Sequence, residues 1–215
     1  MSNSPDAPAH KPLPGRKAQA ARNDGIILDA ARAVFLADAT APIAAVAERA
    51  GVGISALYRR YASKEVLLRT LCYQGLCRYN AEAEAALRTD DDAQVLVEFL
   101  RRVVDADVHS LTVRLAGTFT PDDSFAPEVR RSGELNHEIL RRARASGTVR
   151  DGVTIADISL ILEACAAITL PDPERTAQLR RRVLALLLDG LRASGELPGP
   201  PPEPDEFTAR WRPRK

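Results

Sequence analysis

The chain has 215 residues, of which 45% are hydrophobic and 27% charged, and its formal net charge is +1. That length can bury a full core, as one domain or as a small domain joined to a larger one, and that balance argues against a disordered or membrane chain. The charge is uneven: residues 1–80 carry 11 Lys and Arg against 6 Asp and Glu, or +5, while residues 81–215 carry 19 against 23, or −4. A polyanionic partner is therefore expected at the N-terminal third.

Residues 1–15 hold Pro5, Pro8, Pro12 and Pro14 among small polar residues. This predicts a flexible basic arm over residues 1–21 that carries Arg16 and Lys17. From Asn23 onward Ile27, Ala30, Ala31, Val34 and Phe35 recur at helical spacing and predict an amphipathic first helix. Pro42 is placed to open a short helix over 43–50, and Gly51 to close it in a left-handed conformation. A second short helix over 54–61 follows at once. Ser63 is a suitable N-cap for a long helix over 64–87. Further helices are predicted over 93–115, 127–145, 155–169 and 173–193, and strand alternation of useful length is missing. The fold class is accordingly all-α: a small helical domain over 22–68, a larger helical domain over 69–195 and a proline-rich tail over 196–215. The tail segment around Trp211 is either mobile or docked.

Cys72, Cys77 and Cys165 are odd in number and lack metal-ligand spacing, and no signal peptide or long uncharged apolar run is present. They read as small core residues of a cytoplasmic protein. No metal or cofactor is expected. The sequence also lacks a nucleophile elbow, a phosphate loop and an HExxH helix, so the chain is not expected to be an enzyme.

The informative stretch is IAAVAERAGVGISALYRRYASKEVLL, residues 43–68. Two helices joined by so short a turn must cross steeply. Ala47 is small where the helices cross, Gly51 permits the turn, and Val46, Val52 and Leu57 supply the apolar contacts beneath. Such a pair presents its second helix to a major groove. The segments AERAGV and LYRRYASKEVLL resemble the N-terminal signature of the TetR family of bacterial regulators, and with the preceding helix the likeness covers residues 22–71. The resemblance implies a homodimeric transcriptional repressor on a pseudo-palindromic double-stranded operator, released by a small-molecule effector. It implies a recognition helix starting near Gly53, with Ile54, Ser55 and Arg59 or Arg60 at base edges and Tyr58 and Lys64 on phosphates. Ala56 lies in the same helix, and Arg22 precedes the first helix where it can supplement binding. Gly53, Ala56 and Pro42 stand where relatives often carry hydroxyl side chains, and Arg59 and Arg60 replace a frequent aromatic and histidine pair. Tyr61 reads as core.

The last helices are apolar around too much of their circumference to lie on a surface. Ile158, Leu162 and Cys165 in one, and Val183, Leu187 and Leu191 in the other, are expected at a dimer interface built as an intermolecular four-helix bundle. An effector pocket is expected among the central helices. Its polar markers are Asp107, His109, Thr112, His137 and Glu163, beside apolar Leu100, Val104, Val108, Phe119 and Phe125. Two alternatives stay open: a DNA-binding regulator controlled by a protein partner without an effector, and an all-α enzyme using His109 or His137.

Overall fold

The structure is a computed structural model that describes residues 14–192, 195–203 and 206, with side chains from Asn23 onward. The described residues are helical and contain no strand: α1 (Pro14–Ala37), α2 (Ile43–Ala50), α3 (Ile54–Arg60), α4 (Lys64–Leu87), α5 (Val95–Asp105), α6 (Val108–Leu115), α7 (Ala126–Ala145), α8 (Ile155–Ala167) and α9 (Pro173–Arg192). A short 3-10 turn, Asp123–Phe125, precedes α7.

Several helix ends follow from local chemistry. Gly51 adopts φ 66°. Its N–H donates to the Glu48 carbonyl at 3.1 Å, and that of Val52 donates to the Ala47 carbonyl at 3.0 Å. This pattern closes α2 and needs a residue without a Cβ penalty in the left-handed region. Ser63 caps α4 by accepting from the Val66 amide at 3.2 Å. Thr154 and Asp157 form a reciprocal capping box that starts α8.

Two expectations about helix boundaries are corrected. Helix α1 begins at Pro14, so residues 14–21, expected in the arm, are helical; proline is favoured in a first turn, where its missing N–H has no partner to lose. The remainder of the expected arm, and Trp211 in the tail, lie outside the described residues. The single helix expected over 93–115 is broken into α5 and α6 at Asp107, which takes φ 49° and ψ 35°. Asp is among the few residues that visit this region as single positions, and three neighbours hold it there. Arg32 Nη2 donates to Asp107 Oδ2 at 3.0 Å and also to the Asp107 carbonyl. Arg180 Nη1 and Ser110 Oγ donate to Oδ1.

The buried side chains form two clusters. One joins the ends of α4 and α5 to α7, α8 and α9, with Phe99, Leu100, Ile139, Leu162 and Leu184 at its centre. The other holds α1 to α3 together through Ala31, Phe35, Val46 and Leu57, and extends to Leu111 and Leu115 of α6 and to Phe119 and Phe125. The packing around α1 to α3, the head of the molecule, therefore continues past residue 68. Helix α4 runs through both clusters, turning Ala83 and Ala86 to the first and Leu67, Leu68 and Leu71 to the second. No helix among the described residues is long and apolar enough to cross a membrane.

Candidate nucleic-acid interface and ligand cavity

Helix α3 is fixed by one residue and exposed by the rest. Leu57 is 0% exposed in the head core, whereas Tyr58 is 48% exposed and Ile54, Ser55 and Arg59 face outward. Gly53 caps α3 without a side-chain bond, and Ala56 is half-buried. Tyr61, 5% exposed, lies in the core as the sequence predicts. The Arg22 side chain lies outside the described residues.

Two expected DNA contacts are engaged elsewhere. Arg60 turns back to α1, where its Nε donates to Asp24 Oδ1 at 2.6 Å and its Nη2 to Asp24 Oδ2. Lys64 points inward from the first turn of α4. Its Nζ donates to the Ala41 carbonyl at 2.7 Å and the Ala39 carbonyl at 3.2 Å, and lies 5.2 Å from the Phe35 ring centroid. Burial lowers the pKa of this ammonium from the usual lysine range, partly offset by the Asp38 carboxylate. The turn between α1 and α2 leaves carbonyls that need a donor, and Lys64 is within reach of them.

Beneath the head lie two cavities. The inner one, 370 Å³, is bounded by α4, α6, α7 and α8. Of the expected pocket residues it takes Val108, His109, Thr112 and Phe125; Cys72, Gly75, Leu76 and Tyr79 of α4 and Ser132 and Asn136 of α7 also line it. Those last six were missed in the sequence. Their spacing, 72-75-79 and 132-136, is that of a single helix face and offered a signal. Tyr79 donates its hydroxyl to Asn136 Oδ1 at 2.8 Å.

Val104 and Asp107 instead line an outer cavity of 550 Å³ at the seam of α1, α6, α8 and α9, together with Arg114 and Arg180. The other expectations fall away from both cavities. Leu100 is wholly enclosed in the body core, on the apolar face of α5, whose opposite face exposes Arg101 and Asp105. Phe119 belongs to the head cluster, His137 stands on the exposed side of α7 one residue past Asn136, and Glu163 lines neither cavity.

The residues expected at a dimer face lie mostly inside the protomer. Ile158, Leu162 and Cys165 point into the chain's own core and Leu191 is buried, while Val183 and Leu187 are half-buried against that core. The large apolar residues exposed on these two helices are Leu160 on α8, at 45%, and Leu186 on α9, at 66%.

Comparison with known proteins accords with this architecture. Residues 27–71 match the family model described as bacterial regulatory proteins, tetR family, and residues 91–193 match that of the transcriptional regulator SbtR-like C-terminal domain. The chain is similar to a TetR transcription regulatory protein from Mycobacterium vanbaalenii, with 27% identity over 82% of this chain and 99% of that one and a TM-score of 0.56. The TetR-like regulator LfrR from Mycobacterium smegmatis, solved in complex with proflavine, shares 21% identity over 83% and 99% of the two chains, with a TM-score of 0.59. The ketosteroid regulator KstR2 of Mycobacterium tuberculosis shares 19% over 80% and 96%, with a TM-score of 0.59. No curated protein matches the chain.

Proposed function

The chain belongs to the TetR family of DNA-binding transcriptional regulators, and from that premise we propose that it acts in the cytoplasm as a homodimeric repressor released from its operator by a small molecule in the inner cavity. The observation that carries the reading is α3: a short helix anchored by Leu57 at 0% exposure presents Ile54, Ser55, Tyr58 and Arg59 outward. An exposed helix with this composition suits a major groove, where Arg can fork to guanine and the Tyr hydroxyl can donate to phosphate. Two such helices in a two-fold dimer meet half-sites about 34–36 Å apart, which calls for a pseudo-palindromic operator.

The route from cavity to head is short. Val108 and His109 line the inner cavity at the start of α6, while Leu111 and Leu115 of the same helix pack into the head core. An occupant that prefers one position of α6 changes the population of DNA-competent heads; equal affinity for both positions changes nothing.

The test is fluorescence anisotropy of the purified protein on the DNA upstream of its own gene, against scrambled DNA, at several salt concentrations. Tight, salt-dependent preference for the upstream fragment is expected. Equal binding to scrambled DNA, there and on fragments selected from the genome, would sink the reading.

A further inference from the structure

The wall of the inner cavity restricts what can fill it. Among the described residues, no Asp, Glu, Lys or Arg lines it. Glu128, on the same helix as Ser132 and Asn136, is engaged by Asn80, whose Nδ2 donates to Glu128 Oε2 at 2.8 Å and to its carbonyl at 3.0 Å. The acidic groups on the wall also keep their protons, since burial pushes the Cys72 thiol up to about 12 and raises the Tyr79 phenol as well. Apart from the imidazole of His109, the wall offers a charged occupant no ionisable side chain of the Asp, Glu, Lys or Arg kind to replace its lost hydration.

The wall has two ends. Phe125, set edge-on to Tyr73 with ring centroids 5.5 Å apart, marks an apolar end with Leu76, Pro121 and Val129. About one turn along α4 from Leu76, Tyr79 and its partner Asn136 mark a polar end. Having donated to Asn136 Oδ1, the Tyr79 oxygen keeps lone pairs to accept with, and the Asn136 amide keeps N–H groups to donate. A group that both accepts and donates complements that pair. The volume of 370 Å³ is toward the small end of ligand pockets.

We propose that this cavity takes an uncharged, compact and largely apolar molecule bearing one carboxamide-like group, seated with that group against Tyr79 and Asn136. The inference rests on the reading of the cavity as the effector site, and the test separates the two. The full chain is titrated by calorimetry at pH 8, above the ordinary imidazole range, with naphthalene-2-carboxamide, naphthalene-2-carboxylate and naphthalen-2-ylmethylammonium. Two variants place bulk in the cavity: Val129→Trp, at a position 55% exposed, and Gly75→Leu, where an added Cβ meets nothing closer than 4.0 Å. The amide is expected to bind at least tenfold more tightly than either ion, to lose that binding in both variants, and to bind about fivefold more weakly to Tyr79→Phe.

An ion bound as tightly as the amide, and lost in the same variants, would overturn the proposal and leave the cavity as an effector site. Amide binding unchanged in Tyr79→Phe would overturn the placement of its polar group. No binding by any probe, or binding that survives both blocking variants, would overturn the cavity reading and this inference with it.

Discussion

Arg32 grips Asp107 by both its carboxylate and its carbonyl, so α1 of the head is tied directly to the elbow from which α6 departs. The same carboxylate faces Arg180 of α9, which is 8% exposed and whose remaining donors go to the Ile168 carbonyl at 2.9 Å and the Ala166 carbonyl at 3.3 Å. The two pairs differ in worth. Arg32 and Asp107 are about one-third exposed at their side chains, so water screens their bond, whereas removing the carboxylate leaves a buried guanidinium without its counter-charge. Arg32→Ala is expected to cost under about 1 kcal/mol and Asp107→Ala about 3 kcal/mol. Asp107→Gly loses the same carboxylate but relieves the left-handed backbone, and should be about 1 kcal/mol better than the alanine variant. Urea midpoints order the three. Equal losses in Arg32→Ala and Asp107→Ala would show that the head tether dominates.

Arg60 and Asp24 form a surface pair, and such pairs contribute at most about 1 kcal/mol, so a phosphate or guanine can displace the carboxylate. Asp24→Asn frees the guanidinium and removes a negative charge beside the DNA. Affinity at moderate salt should rise about fivefold, within the worth of that pair, and the salt slope should steepen by about one. Anisotropy on operator and scrambled DNA measures both. Unchanged affinity and slope would mean that Arg60 has no part in binding.

Lys64 leads to the opposite expectation from its sequence reading. With its ammonium on two carbonyls of the α1–α2 turn, Lys64→Met should cost about 1–2 kcal/mol of stability and leave the salt slope of DNA binding intact. A slope shallower by about one at unchanged stability would show instead that the side chain leaves the carbonyls for a phosphate.

Much of this is legible in the sequence. The turn chemistry of Gly51, the Ser63 cap, the buried Leu57 and the exposed Tyr58 follow from local rules that hold wherever helices start, stop and cross. What sequence could not supply was long-range partnering. Nothing near Lys64 in the chain announces the carbonyls of residues 39 and 41, and nothing near Asp107 announces Arg32 or Arg180, which lie more than seventy residues away on either side. The break between α5 and α6 was lost for that reason, since Asp107 leaves the helical region only where those partners meet it. The pocket was misread for a second reason: apolar periodicity marks which face of α4 is inward, but not that Cys72, Gly75 and Tyr79 meet an empty volume there.

Cys72 gives the chain a measurable pH dependence. Burial pushes its thiol up to about 12, while an unfolded cysteine titrates near 8.5. Above that lower value the folded state holds a proton that the unfolded chain releases, so stability falls as pH rises toward the folded value and is unaffected below about pH 8. The Cys72 contribution between pH 7.5 and 9.5 should be a loss of about 1 kcal/mol. Comparing urea midpoints of the parent and Cys72→Ala at both pH values isolates it. If the variant loses as much stability as the parent over that interval, the thiol is not held protonated.

Leu160 and Leu186 supply the test of the dimer. On α8, Leu160, Ala164 and Ala167 are exposed at the spacing of one helix face, and on α9 Ala185 and Leu186 are exposed while Leu184 and Leu188 are buried. Water would face this stripe in a lone chain, and two copies related by a two-fold axis can cover it with the same residues from each. Because Leu186 is 66% exposed, Leu186→Arg should change the fold of one chain by no more than about 0.5 kcal/mol, yet it places two desolvated like charges near the axis of a dimer. Light scattering is expected to give twice the protomer mass for the parent and the protomer mass for the variant. Operator affinity should fall about a hundredfold, since the second half-site is then no longer reached intramolecularly. Ile158→Arg is the contrasting case: that residue is 5% exposed in the chain's own core, so its failure would be loss of the folded protomer. A Leu186→Arg protein that stays dimeric would place the interface on another face.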